Sequence, residues 1–170
     1  ENSVALIFGI ENYAETFPAL FAKNDALYFS DFVQNAFGVP KNNIKLLTND
    51  KAGRTSLLKA ITKWLPKIVE ENQTNIYLFY SGHGLASEDG EDLYLLPSDG
   101  DPEMLEESTL LRSWIFREIS ELNPKSVIVF LDTCYSGATR SEELLVASKP
   151  IFIDVAEQAI PDNFTVFSAS

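Results

Sequence analysis

The chain has 170 residues, of which 45% are hydrophobic and 12% aromatic, enough for one domain with a packed core. Its net charge of -12, with no cluster of Lys or Arg, argues against a nucleic-acid partner, because phosphate contacts need concentrated cations. One cysteine excludes an intrachain disulfide, and one cysteine with one histidine excludes the usual four-ligand structural zinc site.

The first apolar run, Val4 to Ile10, has no polar interruption and predicts a strand covered on both faces, as parallel strands are. Glu11-Asn12-Tyr13 follows as a turn and Phe17 to Leu20 as a loop. Asn24 to Phe37 predicts a helix: Ala26, Phe29, Val33, Ala36 and Phe37 share one face, and Gly38-Val39-Pro40 stops it. Ile44 to Leu47 reads as a second, short strand. Thr55 is a plausible N-cap for a helix that runs through Leu57, Leu58, Ile61, Trp64, Leu65 and Ile68, with Pro66 expected to kink it. Asn75 to Tyr80 is the third strand and Ser81 to Gly84 its terminal loop. Leu85 to Gly90 is small and acidic, hence expected as a surface loop. Leu93 to Leu96 reads as an edge strand or hairpin arm that Pro97 ends.

Ser108 to Leu122 has the spacing of a helix, ended by Asn123-Pro124, and Ser126 to Asp132 is the fourth strand. A helical turn is expected over Ser141 to Ala147, and irregular chain from there to Pro161. Phe164 to Phe167 is a fifth strand. It reaches Ser170 with nothing after it, from which we expect a C-terminal segment to complete the catalytic unit. Strands alternating with helices imply right-handed crossovers and a mostly parallel sheet between helical layers, an α/β fold in a single domain over residues 1–170. No apolar run is long enough for a membrane helix and no signal peptide opens the chain, so no membrane partner and a cytoplasmic location are the default expectations.

The only histidine and the only cysteine both follow strong strands. His83 lies in Ser81-Gly82-His83-Gly84, and Cys134 in Asp132-Thr133-Cys134-Tyr135-Ser136-Gly137. In an open α/β sheet the C-terminal ends of the strands are where ligands bind. Either residue alone reads as an ordinary core thiol or loop imidazole. Together, each beside glycine at a strand end, they give the minimum for thiol catalysis: an imidazole that takes the thiol proton and later protonates the leaving amine. The turn at each residue offers backbone N–H groups for an oxyanion.

These two motifs, about 50 residues apart, resemble those of the caspase-like cysteine peptidases, most closely the metacaspase and bacterial orthocaspase branch. Ala5 to Tyr13, Lys23 to Ala26, Tyr94 to Asp99 and Phe164 to Ser170 extend the resemblance over nearly the whole chain. It implies a caspase-like three-layer sandwich, with the chain as its large-subunit portion. It also implies His83 as general base and acid, Cys134 as nucleophile, and the Gly84 and Cys134 amides as the oxyanion hole. Caspases proper carry Gln-Ala-Cys around the nucleophile and cleave after Asp, whereas this chain has Asp132-Thr133-Cys134. Beside the thiol, an Asp132 carboxylate would raise the thiol pKa; turned into a pocket, it would hold a guanidinium or ammonium group. The resemblance assigns Asp25 and Asp132 to that pocket, and so basic peptide or protein substrates cleaved after Arg or Lys. The alternative role for Asp25 is a helix N-cap. Arg140 and Lys149 are then candidate self-cleavage sites, each equally readable as an ordinary exposed base.

The chemistry itself requires no cofactor or metal. Many metacaspases are activated by calcium, and Glu91, Asp92, Glu106, Glu107, Glu142 and Glu143 fall roughly where that branch places acidic ligands, though a Glu-rich pattern fits a solvated acidic face better. Two other function classes remain open. Cys134-x5-Arg140 matches the phosphate cradle of cysteine phosphatases, although that reading leaves the His83 loop unexplained. A non-catalytic scaffold of the same fold would not need the Cys–His pair.

Overall fold

A computed structural model of the chain describes residues 2–133, 135–137 and 160–169. Its centre is a five-stranded sheet built from β1 (Ser3–Gly9), β2 (Ile44–Thr48), β3 (Asn75–Ser81), β7 (Ser126–Asp132) and β9 (Phe164–Ala169). The strand order is β2-β1-β3-β7-β9, and every pairing is parallel. Helix α1 (Ala22–Ala36) covers one face, and α2 (Arg54–Lys59) with α4 (Arg112–Ser120) covers the other. This is the expected three-layer α/β sandwich.

Strand β1 is buried at every position, as its unbroken apolar run requires. Leu6, Phe8, Leu78, Tyr80, Val127 and Val129 pack with Leu57, Ile61, Leu65, Ile115 and Ile119 in the larger core. Ala5, Ile7 and Phe79 pack against Ala26 and Val33 of α1 on the opposite face. Strand β7 alternates instead: Val127, Val129 and Leu131 are buried, while Ile128 and Phe130 are only half-buried. α1 lies over β1, β2 and β3 and leaves the β7–β9 side of that face open, so a cleft forms there.

A second, small sheet crosses the C-terminal end of the first. It comprises β4 (Gly84–Ala86), β5 (Leu93–Leu95), β6 (Leu110–Leu111) and β8 (Tyr135–Gly137), in the order β6-β5-β4-β8. This corrects the surface loop expected from Leu85: Leu85 and Ala86 are buried strand residues, and only the following acidic turn is exposed. The helix expected over Ser108 to Leu122 also divides. A short α3 (Leu105–Ser108) is separated from α4 by β6, because Leu110 and Leu111 pair with Leu95 and Tyr94.

The N-terminus of α2 is capped from outside rather than by Thr55. Asp99 Oδ1 accepts from Arg54 N at 2.7 Å, and Gly53 precedes the helix so closely that an added Cβ would lie 2.8 Å from Asp99 Oδ2. At Pro66 the regular helix has already given way. The preceding residues Ala60–Trp64 widen into a π-turn, in which Leu65 N bonds Ala60 O, and a 3-10 turn over Leu65–Lys67 absorbs the missing N–H. Among the described residues, no helix is long and apolar enough to cross a membrane. The helical turn expected over Ser141 to Ala147 lies outside the described residues.

Candidate active site

The site begins where β3 and β7 end. Their last registered pair is Ser81↔Asp132, and Gly82 N donates to Asp132 O at 3.3 Å. The same two segments pair again in the small sheet, where Gly84 lies opposite Tyr135 in parallel. The offset between the segments is the same on both sides of the interruption. Only Gly82-His83 separates the paired residues on one segment, and Thr133-Cys134 on the other.

His83 is half-buried, and among the described residues its Nε2, main-chain N–H and C=O each have a partner. Nε2 lies 2.7 Å from the carbonyl oxygen of Phe17. A carbonyl can only accept, so Nε2 carries the proton and Nδ1 is the basic nitrogen of the neutral ring. The main-chain N–H of His83 donates to the Tyr13 hydroxyl at 2.8 Å, and its C=O accepts from Tyr80 Oη at 2.6 Å and from Leu96 N at 3.1 Å. The Tyr13 and imidazole rings are 4.8 Å apart and tilted by 37°. Desolvation by burial holds the imidazole below its ordinary pKa, opposed by the Phe17 hydrogen bond, which favours the protonated ring.

Phe17 is placed by a tightly tethered loop. Ile10 N bonds Ser81 O, and the Asn49 side chain accepts from Glu11 N at 2.9 Å and Asn12 N at 3.2 Å. Asn49 sits in the left-handed region at φ 46°, which turns its amide towards the end of β1. Ala14 N bonds Ser98 O, and Ala19 N returns to Glu11 O.

Beside this loop lies the cleft, with a volume of about 570 Å³, lined by Asp25 and Asp132 and walled by Phe29, Phe79, Phe130 and Phe167. Asp25 is in the first turn of α1. Its entry is set by Phe21 at φ 73° and by no side-chain cap, so Asp25 is not the N-cap. Gly9 lets α1 approach this closely, since an added Cβ would lie 2.3 Å from Ala26 Cβ. Asp132 is exposed, and Ser81 Oγ donates to its Oδ2 at 3.2 Å. Desolvation raises the Asp25 pKa first, and the negative charges of Asp132 and Glu11 raise it further. Two carboxylates that repel one another in a mostly aromatic cleft favour a cation between them.

Of the residues singled out in the sequence, Asp25 and Asp132 share the cleft, His83 follows the end of β3, and Gly84 opens the buried β4. Cys134, Arg140, Lys149, Glu142 and Glu143 lie outside the described residues. Glu91, Asp92, Glu106 and Glu107 belong to no group of three or more residues that could hold a metal ion, among the described residues. Sequence reasoning missed Tyr13, Tyr80 and the Phe17 carbonyl. Tyr13 and Tyr80 each carry a polar tip at a strand's C-terminal end, which is a readable signal; a backbone carbonyl leaves none.

The family model described as the caspase domain matches residues 2–170. No curated protein matches the chain. Among solved structures, protein GSU0716 from Geobacter sulfurreducens is similar, with a TM-score of 0.60 and 20% identity over 81% of this chain and 52% of that one. The chain thus spans about half the length of that protein, and the likeness at this identity concerns the fold.

Proposed function

Because the chain belongs to the caspase-domain family, whose members are generally cysteine peptidases, we propose that it hydrolyses peptide bonds after Arg or Lys with Cys134 as nucleophile and His83 as base and acid, as in the metacaspase and orthocaspase branch. The observation that carries this reading is the constant register: Ser81↔Asp132 before the motif and Gly84↔Tyr135 after it keep one offset, and in the sequence the same offset matches His83 with Cys134. The common cleft of Asp25 and Asp132 supports the basic specificity.

In this mechanism His83 Nδ1 takes the thiol proton as Cys134 Sγ attacks the scissile carbonyl carbon. The Gly84 and Cys134 N–H groups stabilise the oxyanion. As the tetrahedral adduct collapses, the imidazolium gives its proton to the leaving amine, and a thioester remains. His83 then removes a proton from water, which attacks the thioester and releases the carboxylic acid and the thiol. Phe17 O holds Nε2–H throughout and is best placed to stabilise the imidazolium. No cofactor enters these steps. The two carboxylates disfavour a phosphoryl substrate, which argues against the phosphatase reading. Arg140 and Lys149 are the self-cleavage positions that this specificity would accept.

Labelling with a peptidyl chloromethyl ketone ending in Arg tests the reading. A single adduct at Cys134 by mass spectrometry, lost in His83→Ala and slower with an Asp-ended reagent, is expected. Equal labelling by both reagents would overturn the specificity, and labelling unaffected by His83→Ala would overturn the dyad.

A further inference from the structure

Both main-chain polar groups of His83 end on phenols. His83 N–H donates to Tyr13 Oη at 2.8 Å, and Tyr80 Oη–H donates to His83 C=O at 2.6 Å. The two hydroxyls are 3.5 Å apart, a long contact. Proton accounting fixes its direction. Tyr80 gives its only hydroxyl proton to a carbonyl, either that of His83 or that of Leu96 at 3.0 Å, so the proton between the phenols belongs to Tyr13. The donors then run from His83 N–H to Tyr13, from Tyr13 to Tyr80, and from Tyr80, over the shorter of its two carbonyl contacts, back to His83 C=O. This circuit begins and ends on one residue.

We propose that Tyr13 and Tyr80 are positioning residues for His83, a two-phenol clamp that fixes its backbone and with it the place from which Nδ1 acts. The proposal rests on His83 and Cys134 acting as a dyad. Three further observations support it. Gly82, which precedes His83, has φ +154°, and a Cβ there would lie 2.4 Å from Tyr13 Oη and 3.0 Å from Tyr80 Oη, so the phenols occupy the space that glycine leaves. Tyr80 is fully buried on β3, while Tyr13 arrives on the loop that also carries Phe17, so the clamp ties the imidazole's carbonyl partner to the strand that bears the imidazole. Burial pushes the Tyr13 pKa up to about 12, against the opposing effect of the bond it accepts from the His83 backbone, so the phenol stays protonated and can accept and donate at once.

Tyr13→Phe and Tyr80→Phe keep the rings and remove one hydroxyl each. A fixed base near the thiol gives it reactivity at neutral pH, whereas an uncoupled thiol titrates near its ordinary value of about 8.5. The readout is therefore the pH dependence of Cys134 alkylation by iodoacetamide, measured on the whole chain beside circular dichroism and Tm. Alkylation needs no peptide substrate, so it is separate from the specificity question. In the native protein the profile should depend on His83, as shown by a shift in His83→Ala. Each Tyr→Phe variant should shift it in the same direction and lower the neutral-pH rate about 10-fold or more, as misplacement of a catalytic group does. Tyr80→Phe should remain folded, because Leu96 N still serves the His83 carbonyl. If both variants lower Tm but keep the native profile, the phenols are only structural and the proposal fails while the dyad stands. If His83→Ala also keeps the native profile, the dyad reading fails and the clamp with it.

Discussion

Substitution of Gly82 by alanine tests the packing around His83 most sharply. The new Cβ would lie 2.4 Å from Tyr13 Oη, 3.0 Å from Tyr80 Oη and 3.2 Å from Ile10 O, at a φ of +154° that side-chain-bearing residues rarely adopt. The backbone strain costs about 1–3 kcal/mol, and forcing the phenol aside costs about 1–3 kcal/mol in a packed region. A total near 3 kcal/mol corresponds to a fall in Tm of roughly 6–12 °C for a domain of this size. Tyr13→Phe alone should cost about 1–3 kcal/mol, because it orphans the His83 N–H. In the double variant the worst clash is gone and the lost hydrogen bond is counted once. Urea unfolding of the four proteins should therefore give a favourable coupling of about 1–3 kcal/mol. Additive losses would refute the reasoning, since they would mean that Gly82 and Tyr13 do not meet.

Three other outcomes follow from the same geometry. The acid limb of kcat/KM should fall below the ordinary imidazole value of about 6.5, because desolvation lowers the His83 pKa and the ring acts when neutral; a limb at or above that value would contradict this assignment. Asp25→Asn should lower kcat/KM for Arg-ended peptides about 10-fold or more while raising Tm at neutral pH. The sign follows from the raised folded-state pKa: ionised Asp25 disfavours the fold above that pKa, so the Tm gain should shrink as the pH falls through it and vanish only below the ordinary carboxyl value, where both states are protonated; a gain that persists in stronger acid would have another origin. Gly9→Ala should cost about 1–3 kcal/mol by chemical denaturation, since its Cβ would lie 2.6 Å from Ala22 O and push α1, with Asp25, away from the sheet; an unchanged midpoint would show that α1 yields freely.

The central sheet was legible because its inner strands β1, β3 and β7 carry long apolar runs, and β1, buried at all its positions, is the plainest case. Of the small sheet only the hairpin arm at Leu93–Leu95 was read, since Gly84–Ala86 and Leu110–Leu111 are too short to show a period and are fixed by their pairing with neighbours. The boundaries of α2 escaped local reasoning for a similar reason: Asp99, remote in sequence, caps it. At the candidate site, His83 and Asp132 were readable from the motifs that bear them. Asp25 was readable as part of α1, but its place in the cleft depends on the contact of Gly9 with Ala26. The Phe17 carbonyl left no trace in side-chain chemistry. Tyr80, read as one more apolar strand residue, owes its role to the hydroxyl at its tip.

The most direct test of the central claim is hydrolysis of short fluorogenic peptides ending in Arg, Lys or Asp by the full-length protein, beside a Cys134→Ala control. Turnover of the Arg and Lys peptides that disappears in the control is the expected result. Turnover of the Asp peptide instead would contradict the roles of Asp25 and Asp132, and turnover that survives Cys134→Ala would contradict the mechanism itself.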